Sequence, residues 1–370
     1  MSPLWLLLSL PGYLGLRLVP ALVQGPLATT LAFALLFGVC LLIPASVGTR
    51  HRSPGTVRDI IAWLGLIALG FFSTLFIATL SRDLVLAIVF LVAPAREAGL
   101  VAPSALAVII VTTCASLIGL WIARRPRLVE VAIPLRDLPR ALEGFTIAQI
   151  SDIHVGPTIK RGFVERIVTR TNALGADVIA VTGDVVDGSV AELATHTAPL
   201  GLLGAKHGVY FVTGNHEYYS GEAAWTAEMR RLGLIALKNE HVVLEHGGAS
   251  IVLAGVDDDG APRFDPGQRS DAAQALYGAP DSSVKILLAH QPSSALQASQ
   301  AGFDLQLSGH THGGQFWPWN LAVRYFQPFT AGLHRLGCLW VYVSRGTGYW
   351  GPPNRFGVPG EITRIRLVSA

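Results

Sequence analysis

The feature that most constrains this chain is a series of long apolar stretches before residue 124. They run from Leu4 to Val23, Leu27 to Val47, Ile60 to Leu80 and Pro103 to Ala123. Each is close to the ~20 residues that a membrane-spanning helix needs. The same part of the chain contains no lysine. A water-soluble domain has no core that could bury so many apolar side chains, so residues 1–125 are predicted to form a bundle of about four transmembrane helices.

Arginines are concentrated on one side of this predicted bundle. Four spans place the loop with Arg50, His51 and Arg52 on the same side as the exit with Arg124 and Arg125. The positive-inside bias assigns that side, and the domain that follows, to the cytoplasm of an inner or cell membrane protein. A cleavable signal peptide would explain only the first stretch, which lacks a positively charged start. Arg17, inside that stretch, is expected to reach toward the interface.

Charge and cysteine content exclude several other classes of protein. The formal net charge is only +3, and no basic run is interleaved with aromatic residues, so no nucleic-acid partner is expected. The cysteines are Cys40, Cys114 and Cys338, and none forms a CxxC pair. Neither a disulfide framework nor a cysteine metal site is therefore indicated.

After the apolar part, the pattern changes to that of a mixed α/β domain. Pro126, Pro134 and Pro139 indicate a stiff linker over residues 126–144, followed by a domain over 145–370. Apolar stripes of helical period alternate with short apolar runs, which favours a layered α/β architecture. The predicted strands are Phe145–Ile150, Val178–Thr182, Val209–Thr213, Ile251–Gly255, Val284–Ala289, Leu305–Ser308 and Leu339–Val343.

Polar clusters follow five of these predicted strands. In chain order they are Asp152-Ile-His154, Gly183-Asp184-Val-Val-Asp187, Gly214-Asn215-His216-Glu217, His290 and Gly309-His310-Thr-His312-Gly-Gly. Functional loops of open α/β sheets gather beyond the carboxyl ends of strands, so the clusters are expected to converge. Asp, Asn and His ligands suit divalent manganese, iron or zinc. The number of candidate ligands is too large for one ion and favours two ions that share a carboxylate.

The ordered set DxH, GDxxD, GNHE, a lone His and GHTHGG resembles the calcineurin-like metallophosphoesterase family, in particular its membrane-anchored bacterial branch. The resemblance covers residues 150–314 and implies a four-layer α/β/β/α sandwich. It also implies a centre of two divalent ions and the hydrolysis of phosphoesters. By motif position it implies a first ion on Asp152, His154 and His312, a bridge at Asp184, and a second ion on Asn215, His290 and His310. His216 matches the position that stabilises or protonates the leaving oxygen.

Residues beside these motifs are expected to have supporting roles. Asp187 is interpreted mainly as a turn former and Glu217 as a structural neighbour of the ligands. Histidines without a motif context are interpreted as ordinary surface residues, namely His51, His196, His207, His241, His246 and His334.

The sequence also limits the kind of phosphoester. The protein-phosphatase branch of the family carries arginines where this chain has Gly188 and Thr213. Such arginines clamp a phosphomonoester dianion, so their absence favours a phosphodiester or pyrophosphate. Arg345 is a candidate substrate-binding residue, with a surface ion pair as the alternative.

Aromatic residues are dense after His312, at Phe316-Trp317-Pro-Trp319, Tyr325-Phe326 and Tyr349-Trp350. They would either admit a lipid-linked substrate at the membrane surface or pack as a loop subdomain. The main hypothesis is a membrane-anchored metal-dependent phosphoesterase. One alternative is a broad-specificity phosphatase or nucleotide phosphodiesterase that uses the helices only as an anchor. Another is a membrane sensor or transporter with a metal-binding domain.

Overall fold

The computed structural model describes residues 3–49, 55–281 and 284–370. Two compact units are present, and each has its own core. The first comprises Met1–Trp121 and Gly351–Phe356, and the second comprises Ile122–Trp350 and Gly357–Ala370. Arg50, His51 and Arg52, which support the predicted orientation, lie outside the described residues.

The first unit is helical. Its helices are α1 (Pro3–Leu22), α2 (Pro26–Cys40), α3 (Leu42–Gly48), α4 (Thr56–Val92) and α5 (Pro94–Ala123). Within the described residues, three segments are long and apolar enough to cross a membrane: Pro26–Gly48, Thr56–Val92 and Pro94–Ala123. The remaining predicted span coincides with α1, so the count of four stays a prediction. Leu14, Leu18, Phe72 and Leu75 form the core where these helices meet.

A polar network joins three of these helices. The Asp83 carboxylate on α4 accepts hydrogen bonds from Arg17 Nε at 2.8 Å and from the Tyr13 hydroxyl at 2.6 Å, both on α1. Arg82 Nη1 donates to the same carboxylate at 3.0 Å, and its Nε donates to Ser104 on α5 at 2.9 Å. Arg17 is therefore paired with an acidic partner far along the chain, instead of only reaching toward the interface. Charged groups in apolar helices require such partners.

The second unit contains two six-stranded sheets. One has the order β1-β12-β2-β3-β4-β5, and the other has the order β10-β11-β9-β8-β7-β6. The strands are β1 (Arg127–Leu135), β2 (Thr146–Ile150), β3 (Val178–Thr182), β4 (Val209–Val212), β5 (Ile235–Ala236), β6 (Glu240–His246), β7 (Ala249–Gly255), β8 (Val284–Leu288), β9 (Leu305–Ser308), β10 (Gly332–Leu336), β11 (Leu339–Val343) and β12 (Glu361–Ser369).

Within the described residues, the second unit has six α-helices, which cover the two sheets. They are α6 (Arg161–Asn172), α7 (Val190–Thr197), α8 (Asn215–Ser220), α9 (Glu222–Arg231), α10 (Ala272–Ala275) and α11 (Ala295–Ala301). The apolar stripe of α6 is buried against the first sheet, with Ile167 beside Ile179 in one core cluster. Helices α10 and α11 cover the second sheet through Ala272 and Ala298.

The two sheets pack face to face through alternate residues of their strands. Val178 and Ala180 of β3 share a core with Ile251 and Leu253 of β7, whereas Ile179 and Val181 face the helices. This alternation is what a period of two residues dictates for a strand that is buried on both faces. The resulting α/β/β/α sandwich confirms the predicted fold class.

The segment 126–144 differs from the expected linker because it contains β1. This strand pairs in parallel with β12, and the register joins Arg127 to Glu361 and Leu135 to Ser369. Strand β1 lies at the edge of its sheet. Pro134 is tolerated there because one side of an edge strand has no neighbouring strand. On that side, a missing backbone N–H removes no hydrogen bond of the sheet.

Candidate metal centre

Five strands bring the predicted ligands to one edge of the sandwich. Asp152 follows β2, Asp184 follows β3, His290 follows β8 and His310 follows β9. Asn215 begins α8, directly after the loop that leaves β4. Each of these strands pairs in parallel with another of the group, β2 and β4 with β3 and β8 with β9, so within each sheet their carboxyl ends meet at the same edge.

Five of the predicted ligands have a left-handed backbone conformation. Their φ angles are 54° at Asp152, 55° at His154, 52° at Asp184, 71° at His310 and 51° at His312. Side-chain-bearing residues seldom adopt positive φ, because the Cβ atom crowds the backbone. Such strain is typical of functional sites, where it directs side chains to one point.

The structure brings together Asp152, His154 and His312, the three residues predicted to hold the first ion, and they form the first group of candidate ligands. The Nε2 atoms of His154 and His312 lie 3.0 Å apart, and His312 Nε2 lies 3.4 Å from Asp152 Oδ1. All three side chains are buried. The backbone N–H of His310 donates to Asp152 Oδ1 at 2.9 Å, which fixes the carboxylate against the neighbouring loop.

The second ligand group consists of Asp184, Asn215, His290 and His310. His310 Nδ1 lies 3.1 Å from Asn215 Oδ1 and 3.3 Å from His290 Nε2. His290 Nδ1 donates to the Thr182 carbonyl at 2.8 Å, which leaves Nε2 to face the group.

One carboxylate oxygen lies between the two groups. Asp184 Oδ2 is 3.2 Å from His290 Nε2 and 3.8 Å from His154 Nε2. A shared carboxylate at this position is the arrangement that the family resemblance implies.

These donors fit divalent cations. Ligand atoms at ~2.1 Å from one tetrahedral ion lie about 3.4 Å from each other. The separations within the two groups, from 3.0 to 3.4 Å, are close to that value. The donors are nitrogen and oxygen only, which suits manganese, iron or zinc.

Glycine is required at two positions where loops touch a carboxylate. A Cβ atom on Gly309 would lie 2.2 Å from Asp152 Oδ2, and one on Gly214 would lie 2.3 Å from Asp184 Oδ1. Any larger residue would displace one of these carboxylates, since real Cβ contacts at such distances do not occur.

Burial and neighbouring charges shift the pKa values of several residues in the centre, often in opposite directions. Burial and the nearby Asp184 carboxylate raise the pKa of Asp152 against the attraction of His290. For Asp184, burial is outweighed by the positive charge and hydrogen bond of His290, so its pKa lies well below the usual range. Burial and the charge of His290 lower the pKa of His310 to about 4, which keeps this imidazole neutral and able to bind a metal.

Glu217 holds the loops together. Its carboxylate accepts backbone hydrogen bonds from Gly214 at 2.7 Å, Asp184 at 2.9 Å and Val185 at 2.8 Å. Burial and the charge of Asp184 raise its pKa to about 8, while the N–H donors oppose that rise. Glu217 therefore orients two ligand loops, as the sequence suggested.

His216 lies at the mouth of the centre and is held by Asp187. Its Nδ1 lies 2.5 Å from Asp187 Oδ1, and its Nε2 lies 4.0 Å from Asp184 Oδ2. Burial lowers the pKa of His216, but the hydrogen bond to Asp187 and the charge of Asp184 raise it to about 9. The Trp350 ring packs edge to face against the imidazole at 5.8 Å.

Asp187 has a larger role than the turn former that the sequence indicated. The same carboxylate oxygen also lies 3.2 Å from His154 Nδ1. It therefore orients both a candidate metal ligand and His216. The signal was its place in the GDxxD motif, but only the structure shows which imidazoles it contacts.

Asp258 was missed at the sequence level. Its buried carboxylate accepts hydrogen bonds from Gln291 Nε2 at 2.9 Å and from the Gly260 N–H at 2.7 Å. Burial, opposed by the charge of His290, raises its pKa to about 6. The run Asp257-Asp258-Asp259 follows β7 and was the available signal.

Arg345 is in an ion pair beside the centre. Its Nη1 lies 2.9 Å from the buried Glu361 carboxylate, and its side chain is 36% exposed. A Cβ atom on Gly313 would lie 3.3 Å from Arg345 Cγ, so the side chain borders the loop of His312. Its role in binding substrate stays a prediction.

Fold and site together define the class: an α/β/β/α domain with a cluster of carboxylates and imidazoles at the strand ends that suits divalent metals. The chain belongs to the calcineurin-like phosphoesterase family, whose sequence model matches residues 145–314.

Several curated relatives share this domain. A transmembrane protein with a metallophosphoesterase domain from Bos taurus is 42% identical over 274 residues, covering 71% of this chain and 62% of that protein. An uncharacterised metallophosphoesterase of Helicobacter pylori is 38% identical, covering 66% of this chain and 64% of that protein. An uncharacterised metallophosphoesterase of Aquifex aeolicus is 31% identical, covering 65% of this chain and 91% of that protein. The match thus spans less than two thirds of the length of the first two relatives.

Proposed function

We propose that this protein is a membrane-anchored phosphoesterase that uses two divalent metal ions to hydrolyse a phosphodiester or pyrophosphate bond. The observation that carries the proposal is the position of Asp184 Oδ2, which lies 3.2 Å from a ligand of one group and 3.8 Å from a ligand of the other.

The ligands divide between the two ions as the geometry groups them. Asp152, His154 and His312 would hold one ion, and Asn215, His290 and His310 the other, with Asp184 between them. When bound, such a pair of ions lowers the pKa of water and neutralises charge on the phosphoryl oxygens. Glu217 and the strained loops hold these candidate ligands in position.

His216 is proposed to donate a proton to the leaving oxygen. Its Nδ1 is held by Asp187, which leaves Nε2 directed toward Asp184 and the ligand groups. A general acid must approach the leaving atom to within hydrogen-bond distance, and His216 is only partly exposed beside the centre. Asp187 is therefore a positioning residue for this proton transfer.

The proposed preference for diesters rests on the residues that stand next to the GDxxD and GNHE motifs. Gly188 and Thr213 occupy the places where protein phosphatases of the family carry arginine. Thr213 is buried, and the Gly188 carbonyl accepts a hydrogen bond from Trp225. Neither position offers a guanidinium to a phosphomonoester dianion.

The test is metal-dependent hydrolysis of a bis-aryl phosphate compared with an aryl monophosphate by the purified full chain. We expect faster turnover of the diester in the presence of manganese, and loss of turnover after chelation that manganese restores. Faster hydrolysis of the monoester would favour the broad-specificity phosphatase. Absence of turnover with manganese, iron and zinc, despite bound ions, would favour the metal-binding sensor or transporter.

A lipid-linked substrate is the second part of the proposal, and exposed aromatic residues support it. Phe316 and Tyr349 are buried, as a packed loop requires, but Trp317, Trp319 and Trp350 are about two fifths to half exposed. Gln315 joins these segments by exchanging two hydrogen bonds of 2.8 Å with the Trp350 backbone. Exposed tryptophans beside a site suit the interfacial region of a membrane.

Replacing Trp317 and Trp319 by Ala is expected to lower turnover of a phosphodiester carried in lipid vesicles about five- to thirtyfold. The reason is that removing large aromatic contacts at a membrane surface costs roughly 1–2 kcal/mol. Turnover of a soluble bis-aryl phosphate should change little. The measurement is initial rate on both substrates, with Tyr277→Ala as the control because Tyr277 is 82% exposed and outside this aromatic group.

Equal losses on the soluble and the vesicle substrates would contradict a lipid-binding role for the two tryptophans. The cytoplasmic placement of the domain is a separate part of the proposal. It is supported by the predicted helices and by Arg124 and Arg125 at the exit of α5.

A further inference from the structure

A second group of potential metal ligands lies outside the candidate metal centre. It consists of Asp177, His207 and His246, whose ligand atoms all lie within 4.8 Å of one another. All three residues are partly buried. Their separation along the chain hides the group at the sequence level, where both histidines are interpreted as ordinary surface residues.

This cluster is at the opposite edge of the sandwich. Asp177 directly precedes β3 and His207 lies just before β4, so both are at the amino ends of strands in the first sheet. His246 ends β6, which belongs to the second sheet. With ~3.3 Å per residue along β3, Asp177 and Asp184 are separated by roughly 20 Å. The cluster is therefore independent of the candidate metal centre.

The distances in the cluster suit one tetrahedral ion. His207 Nε2 lies 3.0 Å from His246 Nδ1, and His246 Nδ1 lies 4.0 Å from Asp177 Oδ1. The value for ligands at ~2.1 Å from a common ion, about 3.4 Å, lies between these two distances. Side-chain movements of a few tenths of an ångström would place all three ligand atoms at bonding distance from one ion.

The surroundings orient the ligands. Asp177 Oδ2 accepts hydrogen bonds from the Thr146 hydroxyl at 2.8 Å and its N–H at 2.9 Å, so that Oδ1 is turned toward His246. The Phe145 ring packs against both imidazoles, with ring centres at 5.9 Å from His207 and 5.1 Å from His246. Hydrogen-bonded carboxylates and packed imidazoles are features of built metal sites.

We propose that Asp177, His207 and His246 bind a single divalent transition-metal ion of the zinc class, with water as the remaining ligand. Imidazole and carboxylate donors favour zinc, cobalt, nickel or copper over magnesium or calcium. Because Asp177 and His207 lie at the amino ends of strands of one sheet and His246 ends a strand of the other, the ion links the two sheets. Metal binding at this position therefore stabilises the folded domain.

The test counts zinc bound by the full chain in detergent after dialysis against a zinc buffer. His207→Gln and His246→Gln, made separately, are each expected to bind one zinc ion fewer than the wild type. Zinc should also raise the melting temperature of the wild type by about 5 °C more than that of either variant at a hundredfold excess over the dissociation constant.

His334→Gln is the matched control, since His334 is a partly buried histidine on β10 whose Nε2 donates a hydrogen bond to the Ala331 carbonyl at 3.0 Å and which lies outside both groups of candidate ligands. Circular dichroism verifies that each variant is folded, and Asp177→Asn replaces any variant that is not. Equal zinc counts in the wild type and the folded variants would overturn the proposal.

Discussion

Replacing Asp184 by Asn is expected to lower phosphodiester turnover by about a thousandfold and to reduce the number of bound metal ions below that of the wild type. The carboxylate lies between both ligand groups, and the amide removes its charge while keeping its shape. Loss of several kcal/mol of metal-dependent stabilisation of the transition state corresponds to about three factors of ten in rate. The measurements are initial rates on bis-aryl phosphate and metal content by mass spectrometry.

The fold should survive this substitution. Asp184 Oδ1 accepts the backbone N–H of His216 at 2.9 Å, and the side-chain oxygen of Asn can accept the same bond. Asp265→Asn serves as the control, because Asp265 is an exposed turn residue that accepts the Gly267 N–H. Wild-type rates and a wild-type number of bound ions in the Asp184 variant would refute the bridging role.

Replacing His216 by Asn is expected to lower turnover of a phosphodiester with an alkyl leaving group by about 10²–10⁴-fold, the usual contribution of a general acid. Its imidazole is held by Asp187 and faces the ligand groups through Nε2. A nitrophenyl diester should lose much less, because nitrophenolate leaves without needing a proton. Rates on the two substrates, together with metal content, distinguish a proton donor from a metal ligand.

Asp187→Asn is the companion variant. It should change the same ratio of alkyl to nitrophenyl turnover in the same direction but less strongly, since Asp187 acts through the position of His216. It should also weaken metal binding, because the same oxygen contacts His154 Nδ1 at 3.2 Å. An equal loss on both leaving groups in the His216 variant would show that His216 is not the proton donor.

Much of the α/β domain was predictable from local patterns. Strands β3, β9 and β11 match the predicted ranges residue for residue, and the ligands follow the strand ends as expected. Apolar residues recur every two positions in a buried strand face and about every 3.6 positions in a helix, so both patterns are visible within a short stretch of sequence. Predicting these elements therefore requires no knowledge of distant contacts. The family motifs then grouped ligands that are separated by as many as 160 residues, from Asp152 to His312.

Pairings between distant segments were not predictable in the same way. Strand β1 was hidden by Pro134, and its partner β12 is at the other end of the domain. Arg17 found its partner in Asp83, on a different helix. Which segments meet is decided by packing of the whole core, and no local periodicity encodes that choice.

The sequence by itself therefore determined the apolar helices, the layered domain and the identity of the candidate ligands. Only the tertiary structure decided how the side chains meet: Asp184 between two ligand groups, Asp187 against both His154 and His216, and Asp177 with His207 and His246. The physical reason is that ligand type is a property of single residues. Convergence on one point depends on loop conformations and strand order that the whole fold imposes.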